Sequence, residues 1–304
     1  MDATVLVIGR NGQVGRALCA IAPGGGLRFD GVGQDELDIT REAEVAREIA
    51  QRRPRVVVNA AAYTAVDRAE SEPERAFAVN AEGAGAIARA CRASGAALFH
   101  ISTDYVFDGS KQGAYVEDDP VAPASVYGRS KAAGEDAVRA ACPEHIILRT
   151  AWVFSADRGN FVKTMLRLAG ERAEIRVVDD QRGSPTAADG IADALAAMAR
   201  RSLEGGMERL WGTYHYAGGE AVTWFGFARA IFAARQAATG APPPRLVPIT
   251  TAEYPTPARR PANSVLDCGR IGAAFGIAPC DWRGALGQVV ARLCQAKNEG
   301  GDVR

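Results

Sequence analysis

VLVIGRNGQVGRAL, residues 5–18, runs an aliphatic stretch into Gly9, Gly12 and Gly15 and then into residues that favour helix. A strand that meets a glycine turn and continues as a helix opens a βαβ unit. Each glycine has its own reason to be there. Gly9 permits the tight turn, Gly12 lets the backbone approach a pyrophosphate, and Gly15 lets the helix pack on the strand. The helix N-terminus adds unpaired N–H groups and the positive end of its dipole, which together suit a phosphate. The stretch therefore predicts dinucleotide binding; a turn that serves packing alone is the other reading.

Working outward, short β-branched runs alternate with longer alanine-rich, charged stretches. TVLVIG (4–9), LRFDGVG (27–33), VVVNAA (56–61), LFHIST (98–103) and HIILRTAWVF (145–154) read as strands. Residues 42–53, 73–94 and 131–141 carry apolar positions at helical period. Crossover helices imply a parallel sheet covered on both faces, so the fold class is α/β with a Rossmann-like doubly wound sheet. Beyond residue 150, strands at 175–181 and 212–218 and helices at 185–201, 223–236 and 282–295 imply a smaller mixed α/β region. Seven of the 15 prolines lie between Pro242 and Pro261, which excludes continuous helix there and predicts a long ordered loop over a cleft, or else a surface linker. No internal repeat is visible.

The balance of charge narrows the function. Lysine plus arginine equals aspartate plus glutamate at 36 each, leaving no excess positive charge to follow a nucleic acid backbone. The six cysteines include no CxxC pair and the three histidines are dispersed, so neither a zinc site nor a disulfide framework is expected. No apolar run is long enough for a membrane span, and the start does not fit a signal peptide. A cytoplasmic, reduced protein is expected.

In SVYGRSKAAGED (125–136), Tyr127 and Lys131 fall one turn apart on one helix face. A solution phenol with a pKa near 10 is a poor acid, but an adjacent ammonium and an oxidised nicotinamide would lower that value. Such a phenol can protonate a carbonyl oxygen as hydride reaches carbon. Upstream, Ser102, Thr103 and Asp104 close a predicted strand, the place where ligands bind in doubly wound sheets. The plainer readings are an ordinary helix face and a capped turn. Cofactor type stays open: Asp35 and Asp38 lie near the distance of a ribose-binding acid, whereas Arg10 suits a 2′-phosphate or is simply solvated.

These segments, with NAAAYTAVD (59–67), STDYVFDG (102–109), RTAWVFS (149–155), VVDDQRGSPT (177–186) and RRPANSVLD (259–267), resemble the extended short-chain dehydrogenase/reductase family, and within it the dTDP-4-dehydrorhamnose reductases. The resemblance implies a dinucleotide-binding domain at 1–150 and about 171–205 and a nucleotide-sugar-binding domain at about 151–170 and 206–304. It implies Tyr127 as proton donor to the sugar C4 oxygen, Lys131 as the cation that holds the nicotinamide ribose, and Thr103 as a second hydrogen-bonding group on the same carbonyl. Cofactor contacts would fall on Gly9, Gly12, Gln13, Val14, Gly15, Asp38, Ile39, Ala62, Tyr63 and Thr64, besides Tyr127 and Lys131. Sugar contacts would fall on Thr103, Asp104 and Trp152, with Asn160, Phe161, Arg182 and Arg260 on the nucleotide side. NADPH is the expected hydride source, with NADH possible, and a dTDP-linked 4-keto-6-deoxysugar the expected partner.

One position departs from that pattern. Some relatives dimerise around magnesium held by glutamates, one of them just past the third glycine; Arg16 and Ala17 stand here. Mg2+ is therefore doubtful, and a monomer or weak homodimer is expected. Two alternatives remain: a ketoreductase of another nucleotide-linked deoxysugar, and a non-catalytic subunit like the regulatory subunit of methionine adenosyltransferase, for which Thr103, Tyr127 and Lys131 together would be superfluous.

Overall fold

The computed structural model describes residues 3–24 and 26–299, so the outermost limits of the two expected regions lie outside the described residues. β1 (Ala3–Ile8) ends at Gly9 and α1 (Gln13–Ala20) follows at once, as the glycine stretch predicts. β2 (Leu27–Val32), α2 (Glu42–Arg52) and β3 (Val56–Asn59) complete the first half. Short helices α3 (Val66–Ala69) and α4 (Pro73–Phe77) lead through a π-helical turn at Ala78–Glu82 into α5 (Gly83–Ser94). β4 (Ala97–Thr103), α6 (Val126–Ala141) and β5 (His145–Thr150) follow.

The later elements are β6 (Val153–Phe154), α7 (Phe161–Glu171), β7 (Glu174–Val178), β8 (Arg182–Gly183), β9 (Thr186–Ala187) and α8 (Ala188–Glu204). β10 (Gly212–His215), β11 (Val222–Thr223), α9 (Trp224–Thr239), β12 (Arg245–Ile249), α10 (Gly269–Phe275) and α11 (Trp282–Glu299) complete the chain.

Six parallel strands form the central sheet in the order β10-β5-β4-β3-β1-β2. Strand residues alternate between its faces. Val5, Val7, Val56, Val58 and Phe99 pack into one apolar cluster with α1 and α8, while Leu6, Ile8, Val57 and Leu98 pack into another with α2 and α5. Both faces are therefore covered, which is why these strands are apolar along their whole length. The chain leaves β1 to β2 on one side and to β3 on the other. The crevice at that reversal, beyond the carboxyl ends of β1 and β3, is where such sheets take ligands.

Three expectations change. The run 145–154 is not one strand: Trp152 has φ +48°, the chain turns there, and Val153–Phe154 pairs with β9 instead. Strand pairing also cuts across the expected division of the chain. β10, placed with the second region, extends the central sheet beside β5, whereas β7, placed with the first, pairs only with β12. The proline-rich segment is not loop throughout, because β12 lies inside it; Pro248 is tolerated in a strand with a neighbour on one side only.

Asn80 turns its side chain inward, accepting from Tyr63 N–H at 2.8 Å and donating to Tyr63 O at 3.1 Å and to Ser130 Oγ at 2.9 Å. That residue ties the loop after β3 to α6.

Candidate active site

α6 begins where the sequence predicts. Ser125 caps it by accepting from Gly128 N–H at 3.1 Å, and the helix lies hard against the turn after β4, since a Cβ on Gly128 would come within 2.2 Å of Tyr105 O. This close approach brings Tyr127 and Lys131 to the end of β4, where Thr103 and Asp104 stand. All four line one cleft of about 650 Å³ that also contains Gly9, Gly12, Gln13, Val14, Asp38, Ile39, Ala62, Tyr63, Thr64 and Trp152. Residues from six separate stretches of sequence thus share one wall-to-wall site.

At the glycine end, Gly9 has φ +96°, and a Cβ there would lie 2.6 Å from Ala61 N. Gly9→Ala is expected to cost about 1–3 kcal/mol from backbone strain alone, seen as a lower midpoint of thermal unfolding; an unchanged midpoint would show that the turn relaxes freely. Gly15 does not line the cleft but packs α1 on the turn, its Cβ position being 2.1 Å from Gly9 O. α1 has no side-chain cap, so its first N–H groups, from Gln13 onward, remain available to an anion. Gln13 reaches sideways: its Oε1 accepts from Ser155 Oγ and from Asn160 Nδ2, each at 2.9 Å, fastening the 153–160 loop to the glycine turn.

Arg10 is not simply solvated. Its guanidinium meets Glu36 at 2.9 Å and Asp35 at 3.8 Å, and Glu36 also accepts from Gly33 N–H at 2.9 Å. Asp38 lines the cleft and accepts from Thr40 N–H and Oγ1, bonds that hold its carboxyl below the usual value.

At the other end, Thr103 Oγ1 donates to Asp104 Oδ1 at 2.9 Å, and the Tyr127 phenol lines the same cleft. Burial pushes Asp104 up to about 6, against the pull of the bond from Thr103. Burial likewise pushes Tyr127 up to about 12, even though Thr103 favours the phenolate. The lowering expected from Lys131 is not found in the chain alone. Lys131 Nζ is turned away, donating to Ile101 O at 2.7 Å, and burial brings its own value down to about 8.

Trp152 stacks on Trp224 with centroids 3.5 Å apart. Four residues assigned to the nucleotide side lie off the cleft lining. Asn160 caps α7 through Lys163 N–H, and Phe161 packs against Trp224 and Phe227. Arg182 is exposed on β8, and Arg260 forms a two-pronged ion pair with Asp67 at 2.7 and 2.9 Å. Thr150 and Arg158 are among the lining residues that the sequence reading did not name. Thr150 pairs in register with Thr103, and its buried hydroxyl has no partner; a strand-end position was the available signal. Arg158 sits at the mouth with φ +59°, and nothing in the sequence marked it.

Arg16, at the position of the magnesium-binding glutamate, faces Asp157 at 3.8 Å, and among the described residues no group of three or more His, Cys, Asp or Glu could hold an ion. No helix among the described residues is long and apolar enough to cross a membrane.

Comparison with known proteins follows the same lines. The family model described as the RmlD substrate binding domain matches residues 3–295. A dTDP-4-dehydrorhamnose reductase of Sinorhizobium fredii is 45% identical over 293 residues, covering 96% of this chain and 98% of that protein. The Escherichia coli protein of that name is 42% identical over 293 residues, covering 95% and 97%. A Bacillus anthracis dTDP-4-dehydrorhamnose reductase solved in complex with NADP is 34% identical, covers 96% of this chain and 100% of that one, and superposes with a TM-score of 0.88.

Proposed function

Because the chain belongs to the dTDP-4-dehydrorhamnose reductase family, whose members are nicotinamide-dependent oxidoreductases, we propose that it reduces the C4 ketone of dTDP-4-dehydro-L-rhamnose to dTDP-L-rhamnose for cell-surface polysaccharide. The observation that carries this reading is the meeting of Thr103, Tyr127 and Lys131 in the cleft that begins at the glycine turn. The sheet and the glycine turn hold the dinucleotide; Trp152, Asp104 and the turn after β4 face the sugar.

Reduced nicotinamide supplies the hydride, and the remaining work falls to side chains. A phenol at about 12 is fully protonated at neutral pH, the form a reduction needs, and it gives its proton to the nascent alkoxide at O4. Thr103 has one hydroxyl proton, and in this structure Asp104 accepts it. For Thr103 to donate to the carbonyl, Asp104 takes up a proton and returns it as a hydrogen bond; a carboxyl at about 6 makes that exchange inexpensive. Lys131 would hold the ribose and would supply positive charge that stabilises the phenolate left behind. Trp152, backed by Trp224, offers an indole suited to the apolar side of a deoxysugar. Arg260 reaches a diphosphate only by leaving Asp67.

The test is oxidation of NADPH, and separately NADH, with enzymatically generated dTDP-4-keto-6-deoxysugar. Consumption that requires the sugar supports the assignment, and none with either cofactor overturns it. NADPH is taken as the hydride donor with NADH also accepted, because Arg10 is the nearest cation to the end of β2 but is occupied by Glu36. Glu36→Gln is therefore expected to raise the NADPH to NADH ratio of kcat/KM by roughly tenfold, the equivalent of one freed phosphate contact. An unchanged ratio would remove Arg10 from cofactor selection.

A further inference from the structure

Behind Lys131 lies a chain of polar groups that the reaction as described does not use. Asn59, His100 and Lys131 are 1%, 1% and 2% exposed. Asn59 and His100 are register partners on β3 and β4, and Lys131 reaches them from α6. Ala61 N–H donates to Asn59 Oδ1 at 3.1 Å, Asn59 Nδ2 stands 3.0 Å from His100 Nδ1, and His100 Nε2 stands 3.3 Å from Lys131 Nζ.

Counting donors fixes the imidazole. The oxygen of Asn59 is committed to Ala61, so its amide nitrogen is the group that donates to Nδ1. A neutral His100 must then carry its proton on Nε2, pointing at Lys131. An ammonium has three donors and no acceptor, so Nε2–H and Lys131 in its charged form oppose each other, whereas an uncharged amine accepts that proton well. Reversing the tautomer would require Asn59 to flip and set its NH2 against Ala61 N–H. That peptide cannot retreat easily, since it is already packed on the glycine turn.

We infer that His100 is a positioning residue for the reduction: Asn59 holds it in the Nε2–H tautomer, and in that form it favours the uncharged amine of Lys131 and so sets the pH above which the charge Tyr127 needs is lost. This rests on Lys131 assisting Tyr127 as proposed above. Other groups bear on the pair. Glu135, on α6, favours the ammonium, while Arg139 on α6 and His145 on β5 oppose charge on His100; Arg149 on β5 is neutralised by Glu135, and Tyr127 and Asp104 lie on the cleft side. Burial lowers both Lys131 and His100, which keeps the histidine neutral.

Two measurements decide the matter. In protein labelled with 15N-histidine, the His100 signal, assigned by its loss in His100→Gln, is expected to report a proton on Nε2 and none on Nδ1 across neutral pH. This readout needs no substrate and stands whether or not the sugar is the one proposed. In the pH dependence of kcat/KM, His100→Gln, which can turn a carbonyl oxygen to Lys131, is expected to move the alkaline limb upward by about one pH unit. A fall in activity with the limb unmoved would mean support of the fold only. That result, or a proton on Nδ1, overturns the inference.

Discussion

Tyr127→Phe is expected to lower turnover by roughly 10³-fold while leaving dinucleotide affinity close to that of the parent enzyme. The substitution removes one hydroxyl and keeps the ring, which packs edge-on against Tyr105 at 5.5 Å and belongs to a small apolar cluster with Tyr63 and Val126. The phenylalanine therefore fills the same space, and the fold has no reason to change. What disappears is the proton at the site of alkoxide formation. Thr103 cannot replace it, because an aliphatic hydroxyl can donate a hydrogen bond to the oxygen but is far too weak an acid to give up its proton, and water reaches poorly a group that is 9% exposed. The comparison is made by single-turnover oxidation of bound cofactor together with dinucleotide titration. A variant with near-normal turnover would remove Tyr127 from the chemistry; one that also lost cofactor binding would point to a structural role. The profile has a sign as well. The phenol is raised, so the acid is intact through neutral pH, and loss of rate on the alkaline side below about pH 10 belongs to a different group, for which Lys131 at about 8 is the candidate.

Much of this site was legible before any coordinates. Strand, glycine and helix in residues 5–18 specify a local turn whose geometry depends on near neighbours, and α6 is bounded by a local cap at Ser125, so both could be placed from sequence. Tertiary partners could not. Arg10 and Glu36 meet because β1 and β2 run side by side, and Arg260 meets Asp67 across nearly two hundred positions, so an arginine read as a free anion-binding group proved to have a partner. The break at Trp152 was hidden because an apolar, β-favouring run reads as strand whatever φ its middle residue takes. The position of β10 is a pairing choice made by the whole sheet, and four residues of local pattern do not encode it. The direction of the lysine head is likewise beyond the reach of local pattern. Helical spacing places Lys131 beside Tyr127, yet burial and the carbonyl of Ile101 decide where its ammonium points.

Glu135→Ala is expected to destabilise the protein by about 3–5 kcal/mol, the cost of leaving a buried guanidinium without its partner. Glu135 and Arg149 are each 1% exposed in their side chains, and the carboxylate receives Nε at 2.8 Å and Nη2 at 2.7 Å. Arg139 adds a third bond at 2.7 Å from the helix surface. Without the carboxylate, Arg149 keeps long contacts to Glu117 O at 3.3 Å and His215 Nε2 at 3.5 Å, and the face of Phe107 at 5.1 Å. A domain stable by about 5–15 kcal/mol would lose a large share of that margin. Exchanging both residues for apolar ones, Glu135→Leu with Arg149→Met, is expected to recover most of the loss, because the penalty lies in the orphaned charge and not in the absence of a favourable pair. Acid should act like the single variant. Burial opposes charge on Glu135, but the bonds and charge of Arg149 outweigh it and hold the carboxyl below its ordinary value. A depressed carboxyl contributes its full stability above the unfolded value near 4.3 and loses it as pH falls through the lower folded value, so the contribution is complete at pH 7 and fails only in acid. Denaturant midpoints of the two variants at pH 7, with an acid titration of the parent, read all three. A single variant within about 1 kcal/mol of the parent would mean that water reaches Arg149. Glu135 lies one helical turn beyond Lys131, so the same ion pair that anchors α6 to β5 also fixes the height at which lysine and phenol enter the cleft.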